Sequence, residues 1–102
     1  MAKLTSIFWR DIPAQVIGQA GRTRLKRELP PRFAQAIDRA AMRAGRGSSD
    51  AYLADWRRES EEVEGDLGQL VAERAAALES RFPEDVLESV VKAGGLAGGA
   101  AK

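Results

Sequence analysis

Near the start of the chain an aromatic ring, a cation and a carboxylate stand together as Trp9-Arg10-Asp11, just before Pro13. An acid beside a guanidinium at a turn is the smallest unit from which a polar site on a rigid element is built. The simpler reading is that Asp11 forms the turn and Arg10 is an exposed or ring-stacked cation. A second acidic run, Glu59, Glu61, Glu62, Glu64 and Asp66, offers oxygen ligands of the kind that hard divalent cations require. Its spacing matches no EF-hand loop, and runs of charge are usually solvated. Gly45-Arg46-Gly47-Ser48-Ser49 lacks the Lys-Ser/Thr ending of a phosphate-binding loop and follows a helical pattern rather than a strand. The sequence has no His and no Cys. Thiolate chemistry, disulfides, a Ser-His-Asp triad and the commonest zinc sites are therefore excluded within it. The expectation is a domain that is not an enzyme, with no cofactor and no metal.

Binding residues are easier to find. Arg22, Arg24, Lys26 and Arg27, followed by Arg32, form the densest basic segment. Sixteen Lys and Arg against fifteen Asp and Glu leave a net charge of +1, but that total hides a polarity. Residues 1–50 hold ten bases and four acids, a balance of +6, while residues 51–102 hold six and eleven, a balance of −5. Either the halves neutralise each other inside the fold or each displays its charge to a partner. Trp9, Arg10, Arg22, Arg24, Lys26 and Arg27 are the candidate partner-binding residues, since Trp and Arg often anchor protein interfaces. The alternative is nucleic-acid binding through residues 22–32, with phosphates neutralised by the basic run and Trp9 available for stacking.

These side chains need a scaffold. The β-branched and aromatic run Lys3–Arg10 reads as a strand, Asp11–Ala14 as a turn, and Gln15–Ala20 as a returning strand in which Gly18 marks a bulge or a close backbone approach. If residues 22–27 are extended, Arg22, Arg24 and Lys26 share one face and Thr23, Leu25 and Arg27 the other. Apolar residues at 33, 36, 37, 40, 41 and 44 give a helix over 31–44, with Pro31 in its first turn and Gly45 at its stop. Ser49 caps a short helix over 50–58, with a strand as its rival because Tyr52, Ala54 and Trp56 alternate. The acidic connector 59–65 has room for a short edge strand. Asp66 caps a helix buried through Leu67, Leu70, Val71, Ala75, Leu78 and Phe82, and after Pro83 a narrow stripe of Val86, Leu87, Val90 and Val91 follows. Residues 3–92 are expected to form one α+β domain of two layers, an N-terminal β-hairpin or antiparallel sheet covered by the helices 31–44 and 66–81. Residues 93–102, rich in Gly and Ala, are expected to form a flexible tail.

The strings Phe8-Trp9-Arg10-Asp11-Ile12-Pro13-Ala14-Gln15-Val16, Lys26-Arg27-Glu28-Leu29-Pro30 and Phe33–Gly45 resemble a small bacterial family labelled "virulence factor", as do Asp50–Arg58 and Val63–Asp66. The resemblance spans about residues 3–82. The same label is carried by a domain of a larger conserved virulence factor of Gram-positive bacteria. It implies little chemistry, since the label records a genetic association, and it carries over no catalytic or ligand-binding residue. The expected function is thus a non-catalytic interaction or accessory protein that docks on a larger partner. With no signal peptide or membrane-length apolar run, the expected location is cytoplasmic.

Overall fold

The computed structural model describes residues 2–45 and 49–96. Strands β1 (Ala2–Trp9) and β2 (Ile12–Ala20) form the hairpin, β3 (Thr23–Glu28) adds to β2, and helix α1 (Pro31–Arg43) follows. Helix α2 (Ser49–Ala54) leads into β4 (Trp56–Val63), after which come α3 (Leu67–Arg81) and α4 (Glu84–Lys92). The four strands make one antiparallel sheet in the order β3-β2-β1-β4. This is the expected α+β class. The loop residues 46–48 and the tail residues 97–102 lie outside the described residues.

The hairpin turn is tighter than expected, two residues instead of four, because β2 already begins at Ile12 opposite Trp9. Pro13, which has no N–H to donate, is tolerated there because the β3 ladder on its other side starts only at Gln15. The register slips at this point, Ile7 pairing with Gln15 and Phe8 with Pro13, so that Ala14 is the extra residue of a bulge.

Directly opposed residues share a face of the sheet. Leu4, Ser6 and Phe8 of β1, Val16 and Gly18 of β2, and Glu59 and Glu61 of β4 therefore lie on one face, which α3 covers. Gly18 is the close approach that its sequence position suggested: a Cβ there would stand 2.5 Å from Val71 Cγ2. The inward stripe of α3 is Val71, Ala75 and Leu78, and Asp66 caps the helix by accepting a bond from the Gln69 amide at 2.9 Å. α1 buries Phe33, Ala36, Ile37, Ala40 and Ala41 against α4, whose Leu87, Val90 and Val91 face it, while Val86 is exposed. Gly45 takes the left-handed φ of +71° that ends α1. Phe33 meets Phe82 edge-on at 6.3 Å, which joins the two helical groups.

The segment 50–58 is neither all helix nor all strand. α2 stops at Ala54 and Trp56 opens β4, pairing with Trp9. The acidic connector continues that strand to Val63, at the edge of the sheet, where six of its eight residues are exposed and charge is compatible with strand structure.

Candidate interaction surfaces

The Trp9-Arg10-Asp11 cluster is an internal lock. Trp9 is wholly buried, stacked on Tyr52 at 5.9 Å, and its indole N–H donates to the Tyr52 carbonyl at 2.9 Å. Its expected role as a partner contact is therefore corrected: no partner reaches a ring that the protein has already covered. Arg10 is the one described non-glycine residue with a left-handed φ, +54°. Its Nε pairs with Asp55 Oδ2 at 3.2 Å, its Nη1 donates to the Gly94 carbonyl at 2.9 Å, and its backbone N–H donates to the Asp55 carbonyl at 3.0 Å. With both side chains of the ion pair 19% exposed, Arg10 too is engaged within the fold rather than presented to a partner.

Asp11 and Arg57 extend the lock. Arg57 pairs with Asp11 at 3.2 Å and with Glu59, donates through Nε to the Arg10 carbonyl at 2.8 Å, and lies over the Phe8 ring at 4.6 Å. The Asp11 N–H donates to the Gly95 carbonyl at 2.8 Å, and Gly94 and Gly95 are both buried. Gly94 and Gly95, expected to belong to a flexible tail, instead close one end of the core. The reason is a long-range contact with Trp9 and Arg10 that glycine composition does not reveal.

The basic segment has the opposite fate. Every residue of β3 is exposed. Arg24 and Lys26 oppose Gln19 and Ile17 on the face away from α3, whereas Arg27 opposes Val16 on the α3 side. Arg22 lies in the turn before β3, so it does not continue the Arg24–Lys26 row as a longer strand would have made it do. Lys26 pairs with Glu28 at 3.6 Å. The two charged halves therefore meet only in part. Arg10 pairs with Asp55 and Arg39 with Glu88 at 2.8 Å, but Arg22, Arg24 and Arg27 have no ion-pair partner among the described residues. The Glu88 carboxyl is held below its usual range by the hydrogen bond from Arg39, and the same bond raises Arg39.

The acidic run does not converge. In β4, Glu59 and Glu61 lie on the α3 face, where Glu61 pairs with Arg74, whereas Glu62 opposes Lys3 on the other face. Among the described residues no group of three acids is placed to hold a metal, and no helix is long and apolar enough to cross a membrane.

Hollows at the surface of the described residues went unseen in the sequence, two of them beside the charged segments. A cleft of about 250 Å³ includes Gln15, Glu28, Leu29, Ile37, Tyr52 and Trp56 in its lining, with Tyr52 and Trp56 edge-to-face at 5.7 Å. Another of about 240 Å³, on the sheet face away from α3, is lined by Lys3, Thr5, Ile17, Gln19, Arg24 and Arg58. The signal for the second was the alternation of each strand; what was missing was the register that sets β1, β2, β3 and β4 side by side.

A family profile described as virulence factor matches residues 7–91. The chain belongs to the virulence factor family. The match runs from the end of β1 to the end of α4 and takes in the basic strand and most of the Trp9 lock, whose Gly94 and Gly95 lie just beyond it. No curated protein and no solved structure matches the chain.

Proposed function

We propose that this virulence factor domain is a non-catalytic accessory module of the bacterial cytoplasm that docks on a larger protein through the outer edge of β3. The observation that carries this reading is the edge itself. β3 has β2 on one side only, so alternate N–H and C=O groups along Thr23–Glu28 point outward without a strand partner. An extended segment of another protein satisfies such groups by adding as a fifth strand. Arg22, Arg24 and Arg27 bias that partner toward acidic sequence, and the same cations oppose pairing of one β3 with another. A lack of His and Cys supports the non-catalytic part of the reading. So does the engagement of Arg10, Asp11 and Arg57 in bonds that hold the fold.

The test is recovery of a defined partner by wild-type protein and by a triple charge reversal, Arg22→Glu with Arg24→Glu and Lys26→Glu. These side chains are exposed, so the variant should keep its circular dichroism spectrum while losing the partner. Equal recovery by a folded triple variant refutes docking at this edge. Oligonucleotide titration at two salt concentrations tests the other class of partner: a steep loss of affinity with salt indicates phosphate contacts and makes nucleic acid the ligand.

A further inference from the structure

The hollow on the sheet face away from α3 has charged lining of one sign. Lys3 comes from β1, Arg24 from β3 and Arg58 from β4, and none of the three has an ion-pair partner among the described residues. No carboxylate lines the hollow, though Glu62 stands opposite Lys3 on the same face, just outside it. Its floor is Thr5 and Ile17, each only 9% exposed, and Gln19 stands beside them. The Thr5 and Ser60 hydroxyls are 2.9 Å apart. When Ser60 donates that bond, the Thr5 proton remains for a ligand oxygen in the hollow. Gln19 adds an amide N–H₂. The hollow therefore combines three cationic donors with neutral donors at its base, and its volume is below the roughly 300–1,000 Å³ of pockets that enclose whole drug-sized ligands. That suits a compact anion with several oxygens.

We propose that this hollow binds a phosphate group, as a free mono- or diphosphate ion or as the phosphate of a small ester. Arg24 and Arg58 stand on the two outer strands, so their planar guanidinium donors approach the hollow from opposite sides, and Lys3 supplies a point charge. A carboxylate offers only two oxygens and one charge and leaves part of this donor set unused. Most of the hollow lies away from the outer edge of β3, because Lys3 and Arg58 sit on β1 and β4 across the sheet. The site goes beyond edge docking and stands without it.

The experiment is an NMR titration of the full chain with inorganic diphosphate at low salt, following backbone and side-chain signals. Saturable shifts are expected at Lys3, Thr5, Gln19, Arg24 and Arg58. Arg58→Gln, a substitution at an exposed residue, should weaken binding about tenfold, the usual scale of one lost charge-assisted contact. Arg22→Gln, outside the hollow, should leave binding unchanged. A parallel titration with a nucleoside diphosphate distinguishes the sources: tighter binding than diphosphate assigns an ester, and equal or weaker binding assigns the free ion. Absence of saturable shifts at these residues, or equal weakening by Arg22→Gln and Arg58→Gln, overturns the proposal. Edge docking survives that failure, since Arg22 and Arg27 lie outside the hollow. Loss of edge docking likewise leaves phosphate binding standing, because the titration reads the hollow directly.

Discussion

Replacing Gly18 with alanine tests how closely the sheet and α3 approach. The added Cβ would stand 2.5 Å from Val71 Cγ2 and 2.8 Å from Leu67 Cδ1, where carbon atoms in good contact are about 3.5–4.0 Å apart. Leu67 is only partly buried and its terminal methyl can swing aside. Val71 is 3% exposed and β-branched within a helix, so its side chain has one strongly favoured rotamer and the overlap must push α3 away from β2. Overpacking of this kind costs about 1–3 kcal/mol. Against it stands the gain of about 0.5–1 kcal/mol from removing a glycine from a strand interior. The difference spans about 0–2.5 kcal/mol, and its midpoint is a loss of about 1 kcal/mol, or a fall in Tm of about 4–8 °C for a domain of this size. Urea denaturation followed by circular dichroism measures it, with an unchanged slope showing that the unfolded state is not the cause. Val71→Ala opens a cavity and is destabilising alone, yet should cost at least about 0.5 kcal/mol less in the Gly18→Ala background, because the new methyl occupies the vacated space. A Gly18→Ala protein as stable as wild type, or strict additivity of the two changes, would refute the close approach.

The remaining predictions concern the chain end and the Arg39–Glu88 pair. Gly95 has a φ of +95°, and a Cβ there would lie 2.9 Å from Trp9 Cζ3, so Gly95→Ala should lower stability by about 1–3 kcal/mol in urea; an unchanged midpoint would show that Gly94 and Gly95 do not close the core. Glu88 is held below the ordinary value of 4.5 by Arg39, so its folded pKa is lower than its unfolded one. The pair's contribution is present above the unfolded value and is lost as pH falls through the folded value. NMR titration should find the Glu88 carboxyl among the more acidic glutamates, less so in high salt, and Glu88→Gln should flatten the acid limb of the stability curve; titration at the ordinary value would show that the pair does not hold in solution.

Elements set by local pattern were legible in the sequence. The apolar spacing from Phe33 to Ala41, the proline before it and the glycine after it specify α1 through contacts within a few residues. Asp66 announced α3 because an N-cap is a bond to an amide three residues on. β4 was legible only in fragments, since Glu59, Glu61 and Glu62 have little strand preference. It is pairing with β1, far away in the chain, that makes the segment extended. The candidate binding residues divided for the same reason. Arg24, Lys26 and Arg27 stayed on the surface, as charge usually does, while Trp9 and Arg10 were captured by Tyr52, Asp55, Gly94 and Gly95.

By itself the sequence determined the chemical repertoire and the local elements: no thiol, no imidazole, a basic first half, an acidic second half, and helices written in their own periodicity. Only the tertiary structure decided which charges are spent inside the fold and which are displayed. It turned a prominent Trp-Arg-Asp string into a structural lock and gathered Lys3, Arg24 and Arg58 from three strands around one hollow. The physical reason is that composition and periodicity are properties of neighbours in the chain, whereas burial, ion pairing and the lining of a hollow depend on strand register and on contacts between distant segments.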